Sequence, residues 1–118
     1  MRAALAAVVL VALAPGAAAC GQDCTAIGVP GLHVVVQTDA GAPICDAVVS
    51  IVDDDAVEQP EVFVSPDGSC SWTAAWGRSG TFDVRAVHGG VELRQEAKVT
   101  KGACHVKTAG VMFTFAAT

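Results

Sequence analysis

After residue 20, apolar and polar residues alternate with a period of two, and no stretch keeps the 3.6-residue period of a helix. The clearest case is Thr81 to Val87, in which Phe82, Val84 and Ala86 share one parity. Successive side chains of a β-strand point to opposite faces, so this pattern is typical of strands with one buried and one solvated face. The chain is therefore expected to be all-β.

Seven segments carry strand patterns, and Gly, Pro and Asp residues typical of turns lie between them. The segments are, in order, Leu32 to Gln37, Ala47 to Val52, Val62 to Val64, Cys70 to Trp76, Thr81 to Val87, Val91 to Val99 and His105 to Phe115. The parity of the last segment changes at Ala109-Gly110, where we expect a β-bulge. The pattern predicts a single Ig-like antiparallel β-sandwich over residues 30–118, with its longest loop at residues 53–60.

The N-terminus has the features of an export signal. Arg2 precedes an apolar run from Ala3 to Ala14, which is too short to span a bilayer. Ala17-Ala18-Ala19 followed by Cys20 resembles the bacterial lipobox. That resemblance implies a signal peptide at residues 1–19, lipidation of the Cys20 thiol and a lipidated tether at residues 20–29. The alternative is an ordinary secretory signal cut after Ala19.

Five cysteines leave one unpaired in an oxidising compartment. If Cys20 carries lipid, the remaining four can form two disulfides. Strands that alternate in direction place Cys45 and Cys70 at one end of a sandwich and Cys24 and Cys104 at the other. A disulfide requires Cα atoms within about 7 Å, whereas a strand is roughly 17–20 Å long. We therefore predict the disulfides Cys45–Cys70 and Cys24–Cys104.

A family resemblance covers roughly residues 30 to 115. Asp39, Gly41 and Pro43 between two valine-rich segments, followed later by Gly80-Thr81-Phe82, resemble the carboxypeptidase regulatory-like domain. The resemblance implies a transthyretin-like, seven-stranded sandwich. The resemblance is nearly silent on function. In zinc carboxypeptidases this domain accompanies the catalytic domain and is not itself catalytic.

Candidate chemistry is sparse. None of His33, His88 and His105 has a Glu three residues later, as a zinc carboxypeptidase motif requires. Asp53, Asp54 and Asp55, with Glu58 and Glu61 nearby, are interpreted as a solvated acidic loop rather than a calcium site. We expect no catalytic residue, no metal and no cofactor. The net charge of -5 and the absence of a basic run argue against nucleic acid as a partner.

Trp72 and Trp76 share a parity with Cys70, which favours a core position for both. If they are exposed instead, they form an aromatic platform for a glycan. The leading hypothesis is a non-enzymatic lipoprotein of the cell envelope, a disulfide-stapled module that binds or scaffolds a protein or polymer partner. A glycan-binding module is the alternative, and an enzyme of unidentified type is a third hypothesis. The membrane is contacted through the lipid anchor, and Gly21 after Cys20 favours the outer membrane, facing the periplasm or the cell surface.

Overall fold

The alternating segments form strands in the computed structural model of the protein, which describes residues 28–54 and 56–117. In chain order the strands of these residues are β1 (Leu32–Thr38), β2 (Val48–Asp53), β3 (Ala56–Glu58), β4 (Phe63–Val64), β5 (Cys70–Ala74), β6 (Gly80–His88), β7 (Val91–Lys101), β8 (Val106–Lys107) and β9 (Ala109–Phe115). The described residues include no helix that is long and apolar enough to cross a membrane. The predicted signal peptide and tether, apart from Gly28 and Val29, lie outside them.

Two sheets make up the sandwich. Sheet one has the order β9-β1-β5-β4, and sheet two has the order β3-β2-β6-β7-β8. The predicted all-β sandwich is confirmed, and each of the seven predicted segments contains a strand. The count of seven is too low for the described residues, because β3 forms inside the predicted long loop and β8 separates from β9.

The core lies between the sheets and is lined by the residues of one parity in each strand. Val34 and Trp72 from sheet one and Phe82 and Val84 from sheet two are among its most deeply buried side chains. No polar or charged residue of the described chain is buried. The alternating pattern of the Val91 to Val99 segment gives Val91 the same parity as the buried Ala97 and Val99 and so predicts that it faces inward. Val91 is exposed instead, because it follows the Gly89-Gly90 turn at one end of the sandwich.

The first and last strands run parallel, which differs from the predicted antiparallel sandwich. Leu32 pairs with Ala109 and Thr38 with Phe115 in β1 and β9. All other strand pairs between the described strands are antiparallel. The predicted alternation of direction itself accounts for the exception, because the first and seventh of seven alternating strands point the same way. These two strands become neighbours only through the sheet order.

The parity change before β9 has a different cause from the predicted bulge. Val106 and Lys107 pair with β7 in sheet two, whereas Ala109 begins the pairing with β1 in sheet one. Thr108 lies between the two strands, and its hydroxyl donates a 2.7 Å hydrogen bond to the carbonyl oxygen of Pro30. The chain therefore crosses from one sheet to the other at Thr108. Because the two sheets face the core from opposite sides, the parity of the core-facing residues changes at this crossing.

The turn between β4 and β5 is closed by an aspartate. Oδ1 of Asp67 accepts hydrogen bonds from the backbone N of Ser69 at 3.0 Å and from its hydroxyl at 2.7 Å. The backbone and side-chain hydrogen bonds of Ser69 favour the ionised carboxylate and lower the pKa of Asp67 from its ordinary value of 3.8. Gly68 follows with φ of 89°, a conformation that glycine adopts without strain.

The lowered pKa of Asp67 predicts a dependence of stability on pH. A group whose pKa is lower in the folded state stabilises the fold above its unfolded-state pKa, and this contribution is lost as the pH falls through the folded-state pKa. Asp67→Asn keeps the acceptor oxygen and removes the charge. Urea unfolding between about pH 2 and pH 5 should therefore show an advantage of the natural chain over Asp67→Asn that shrinks as the pH falls. A constant difference across that range contradicts the prediction.

Candidate functional site

The strands of sheet one contain no Asp, Glu, Lys or Arg, in contrast to those of sheet two. Their sequences are LHVVVQT, FV, CSWTA and AGVMFTF. The outward side of sheet one, which we call the neutral face, is formed by His33, Val35, Gln37, Phe63, Ser71, Thr73, Gly110, Met112 and Thr114. Depletion of charge together with Met and aromatic residues is the composition that distinguishes the centre of protein interfaces from other surfaces.

The register of sheet one aligns four side chains in a row across the neutral face. Phe63 pairs with Ser71, Ser71 with Val35, and Val35 with Met112. Phe63 and Met112 at the two ends of the row are 62% and 53% exposed. Neighbouring strands are about 4.8 Å apart, so the row extends for roughly 14 Å across the sheet. It presents a continuous band of mainly apolar surface to solvent.

A shallow groove interrupts the neutral face beside this row. His33 pairs with Gly110, and a Cβ placed on Gly110 would meet no atom within 4 Å. The missing side chain leaves a groove that is lined by His33, Val35, Gly110 and Met112. A partner's backbone can approach a sheet closely where a strand carries glycine.

The free edge of β9 is partly covered by sheet two. The side-chain Nε2 of Gln95 in β7 donates a hydrogen bond to the carbonyl oxygen of Met112. Covering an edge strand in this way limits the addition of a further strand. The contact leaves the outward side chain of Met112 exposed, so the face rather than this edge of the sheet is available to a partner.

The outward side of sheet two carries paired charges. Arg85 contacts Asp83 at 2.8 Å and Glu92 at 4.0 Å, and Arg94 contacts Glu92 at 3.4 Å. Exposed pairs of this kind contribute little stability, typically up to about 1 kcal/mol each. They make sheet two a hydrated surface, and the neutral face is the side of the sandwich with the composition of an interface.

The acidic loop is partly neutralised by an arginine. Arg78 contacts a carboxylate oxygen of Asp53 at 3.4 Å and one of Glu58 at 2.9 Å, and its guanidinium lies 5.3 Å from the centre of the Phe82 ring. The predicted solvated loop is therefore an ion-pair cluster at two of its carboxylates. Asp55 lies outside the described residues, and the described residues hold no group of three candidate metal ligands.

The histidines lie at different places and do not form one site. His33 is exposed on β1, in the groove, and His105 precedes β8. His88 ends β6, where its Nε2 lies 3.2 Å from Asp46 and its ring meets Phe115 edge-on, with 5.6 Å between ring centroids. His88, Gly89, Val91 and Phe115 line a second cleft at that end of the sandwich.

The two tryptophans do not share a face, although the sequence pattern groups them. Trp72 is 2% exposed and packs in the core, and Trp76 is 52% exposed. Strand β5 ends at Ala74, and Ala75 and Gly77 then adopt positive φ values of 55° and 70°, which turn Trp76 out of the strand. The core position predicted for Trp76 is wrong, and the alternative platform of both tryptophans is not formed.

One predicted disulfide lies wholly within the described residues and is confirmed. Cys45 and Cys70 are bonded, with Cα atoms 5.4 Å apart. Cys104 is also disulfide-bonded. Its predicted partner Cys24 and the predicted lipid attachment site Cys20 lie outside the described residues, so these two assignments stay predictions.

Comparison with family models, with curated proteins and with solved structures finds no match to this chain. The neutral face is therefore identified as the candidate site from its own composition and strand register. Sequence reasoning missed Phe63 and Met112 as surface residues. The signal for Met112 was present, because it has the opposite parity to Val111 and Phe113, which face the core.

Proposed function

We propose that the protein is a non-enzymatic module of the bacterial cell envelope that binds or scaffolds a protein or polymer partner through its neutral face. The observation that carries the proposal is the row of Phe63, Ser71, Val35 and Met112 on a sheet without charged residues. Exposed contiguous apolar surface of this kind marks interaction sites in soluble domains. The charged side of sheet two keeps the remainder of the sandwich hydrated.

The proposal includes a lipid anchor at Cys20 and a position in the outer membrane, facing the periplasm or the cell surface. The disulfide between Cys45 and Cys70 supports an oxidising compartment outside the cytoplasm. The lipobox-like Ala17-Ala18-Ala19-Cys20 motif supports the anchor. Palmitate labelling of the natural chain and of Cys20→Ala tests it, since label retained by the variant contradicts this attachment site.

We also propose that the sandwich is of the transthyretin-like type found in carboxypeptidase regulatory-like domains. The two-sheet architecture and the Asp39-to-Pro43 connection between β1 and β2 support this assignment. A glycan platform of Trp72 and Trp76 is not part of the proposal, because Trp72 is buried.

Crosslinking in native membranes, followed by recovery of the protein with its attached partner, tests the role of the neutral face. Met112→Lys places a charge at an exposed apolar position of the row, and we expect it to reduce the recovered partner by about tenfold or more, as the loss of an interface hot spot does. Val48→Lys is the matched control, because Val48 is 52% exposed, close to the 53% of Met112, but lies on sheet two. Equal recovery with both variants contradicts the proposed binding face.

A further inference from the structure

The chain enters the sandwich at one end, which we call the tether end and define by residues 28–31, Trp76, Lys101 and Lys107. The backbone N of Gly31 donates to the carbonyl oxygen of Ala75 at 3.0 Å, and that of Gly77 donates to the carbonyl oxygen of Val29 at 2.9 Å. A Cβ on Gly28 would stand 3.4 Å from Cε3 of Trp76. The entering segment is therefore fixed beside Trp76.

Trp76 combines a large exposed ring with a polar N–H group at this end. It is 52% exposed, which is high for a side chain of its size next to a packed core. Indole rings with one apolar and one polar side concentrate at the boundary between lipid and water. The positive φ values of Ala75 and Gly77 hold the ring outside the sheet, where such a boundary can reach it.

All three lysines of the chain lie towards the same end. Lys101 pairs with Val106, Lys107 with Thr100, and Lys98 with Thr81 near the start of β6. The three side chains are exposed, and none forms an ion pair within the described part of the chain. They therefore remain available to an anionic surface.

The acidic residues leave this corner of the sandwich largely free. Asp53 and Glu58 at the tether end are paired with Arg78. Asp54 follows β2, and β6 separates β2 from β7, the strand that carries Lys98 and Lys101. The turns of the opposite end carry Asp39, Asp46 and Asp67 and contain no Lys or Arg. The sandwich is thus more positive where the chain enters and more negative at the other end.

We propose that the tether end rests on an anionic lipid surface, with the Trp76 ring in the headgroup layer and Lys101 and Lys107 against lipid phosphates. This inference rests on the lipid anchor of the proposed function. Cys20 precedes Gly28 by eight residues, which span at most roughly 28 Å when extended. An anchor at Cys20 therefore keeps the tether end near the membrane, and Trp76 and the lysines select this end as the contact.

The test uses the lipidated chain in vesicles that contain phosphatidylglycerol and a phospholipid brominated near the headgroup. Contact with bromine quenches tryptophan emission. We expect quenching and loss of acrylamide access for Trp76, whereas Trp76→Phe leaves only the emission of buried Trp72 and is not quenched. Lys101→Gln with Lys107→Gln should weaken the contact about fivefold for each lysine removed. Arg94→Gln is the control, because it removes a positive charge from the middle of sheet two.

Palmitate labelling of the same preparation separates the two proposals. A labelled, vesicle-bound protein whose Trp76 stays unquenched and accessible to acrylamide overturns the membrane contact and leaves the anchor intact. A protein that takes up no label overturns the anchor and, with it, this inference. Equal loss of quenching in the double lysine variant and in Arg94→Gln also overturns the contact, since the charge at the tether end is then without a specific role.

Discussion

Trp72→Ala is expected to lower the free energy of unfolding by about 3–5 kcal/mol, the range for removing a large aromatic side chain from a packed core. Trp72 is 2% exposed and lies in β5, between β1 and β4. Val34 pairs with it across sheet one, and Phe82 lies in the same core cluster. Its removal leaves a cavity that the flanking strands cannot fill without losing their register. Urea unfolding, followed by far-ultraviolet circular dichroism, measures the loss.

Trp76→Ala provides the matched control for this prediction. It removes the same side chain four residues later, from a position that is 52% exposed. About half of the Trp76 residue is already in contact with water, so the loss of stability is expected to be well under half that of Trp72→Ala. If the two variants lose equal stability, Trp72 does not lie in a packed core.

Replacing both Cys45 and Cys70 by alanine is expected to lower the free energy of unfolding by about 3.5 kcal/mol, from the loop-closure entropy of the unfolded chain. The bond joins residues that are separated by 25 positions and connects the start of β5 to the loop before β2. It therefore links sheet one to the connection that leads into sheet two. Urea unfolding under non-reducing conditions gives the difference in stability.

Peptide mapping and the single variants check the disulfide independently. A non-reduced digest should contain one peptide pair that joins Cys45 to Cys70. Cys45→Ala alone should lose nearly as much stability as the double variant, because breaking the bond accounts for most of the effect. A double variant as stable as the natural chain contradicts the prediction.

The disulfide could be predicted from the sequence because it depends only on which end of the sandwich each strand begins at. Cys45 follows the first turn and Cys70 begins β5, and alternating strand direction places both at one end. The same reasoning required no knowledge of which strands are neighbours. The sandwich class and the buried parity of Phe82, Val84 and Ala86 were predictable for a related reason, since each depends on one strand at a time.

Other features could not be predicted from the sequence, in one case because the same pattern is compatible with two different structures. A change of parity before Val111 fits a bulge within one sheet and also a crossing between sheets, and only the partner strands distinguish them. The exposure of Trp76 depends on a positive φ at Ala75. Alanine seldom adopts this conformation, and no residue of the segment predicts it. Strand β3 was missed because its three residues follow a run of aspartates.

The neutral face could not be predicted from the sequence either, because its residues lie on four separate segments. Segments without charge are scattered through the chain as LHVVVQT, FV, CSWTA and AGVMFTF. Only the sheet order brings these four segments side by side. The row from Phe63 to Met112 therefore depends on contacts between residues far apart in sequence.

The parallel pairing of β1 and β9 determines how the domain responds to mechanical load. The seven paired residues run from Leu32 beside Ala109 to Thr38 beside Phe115, so the chain enters the pair at one end and leaves it at the other. A pulling force between Gly28 and Ala117 acts along the two strands in opposite directions. It shears their interstrand hydrogen bonds together instead of opening them one at a time, so this pair resists extension and transmits tension from one end of the domain to the other.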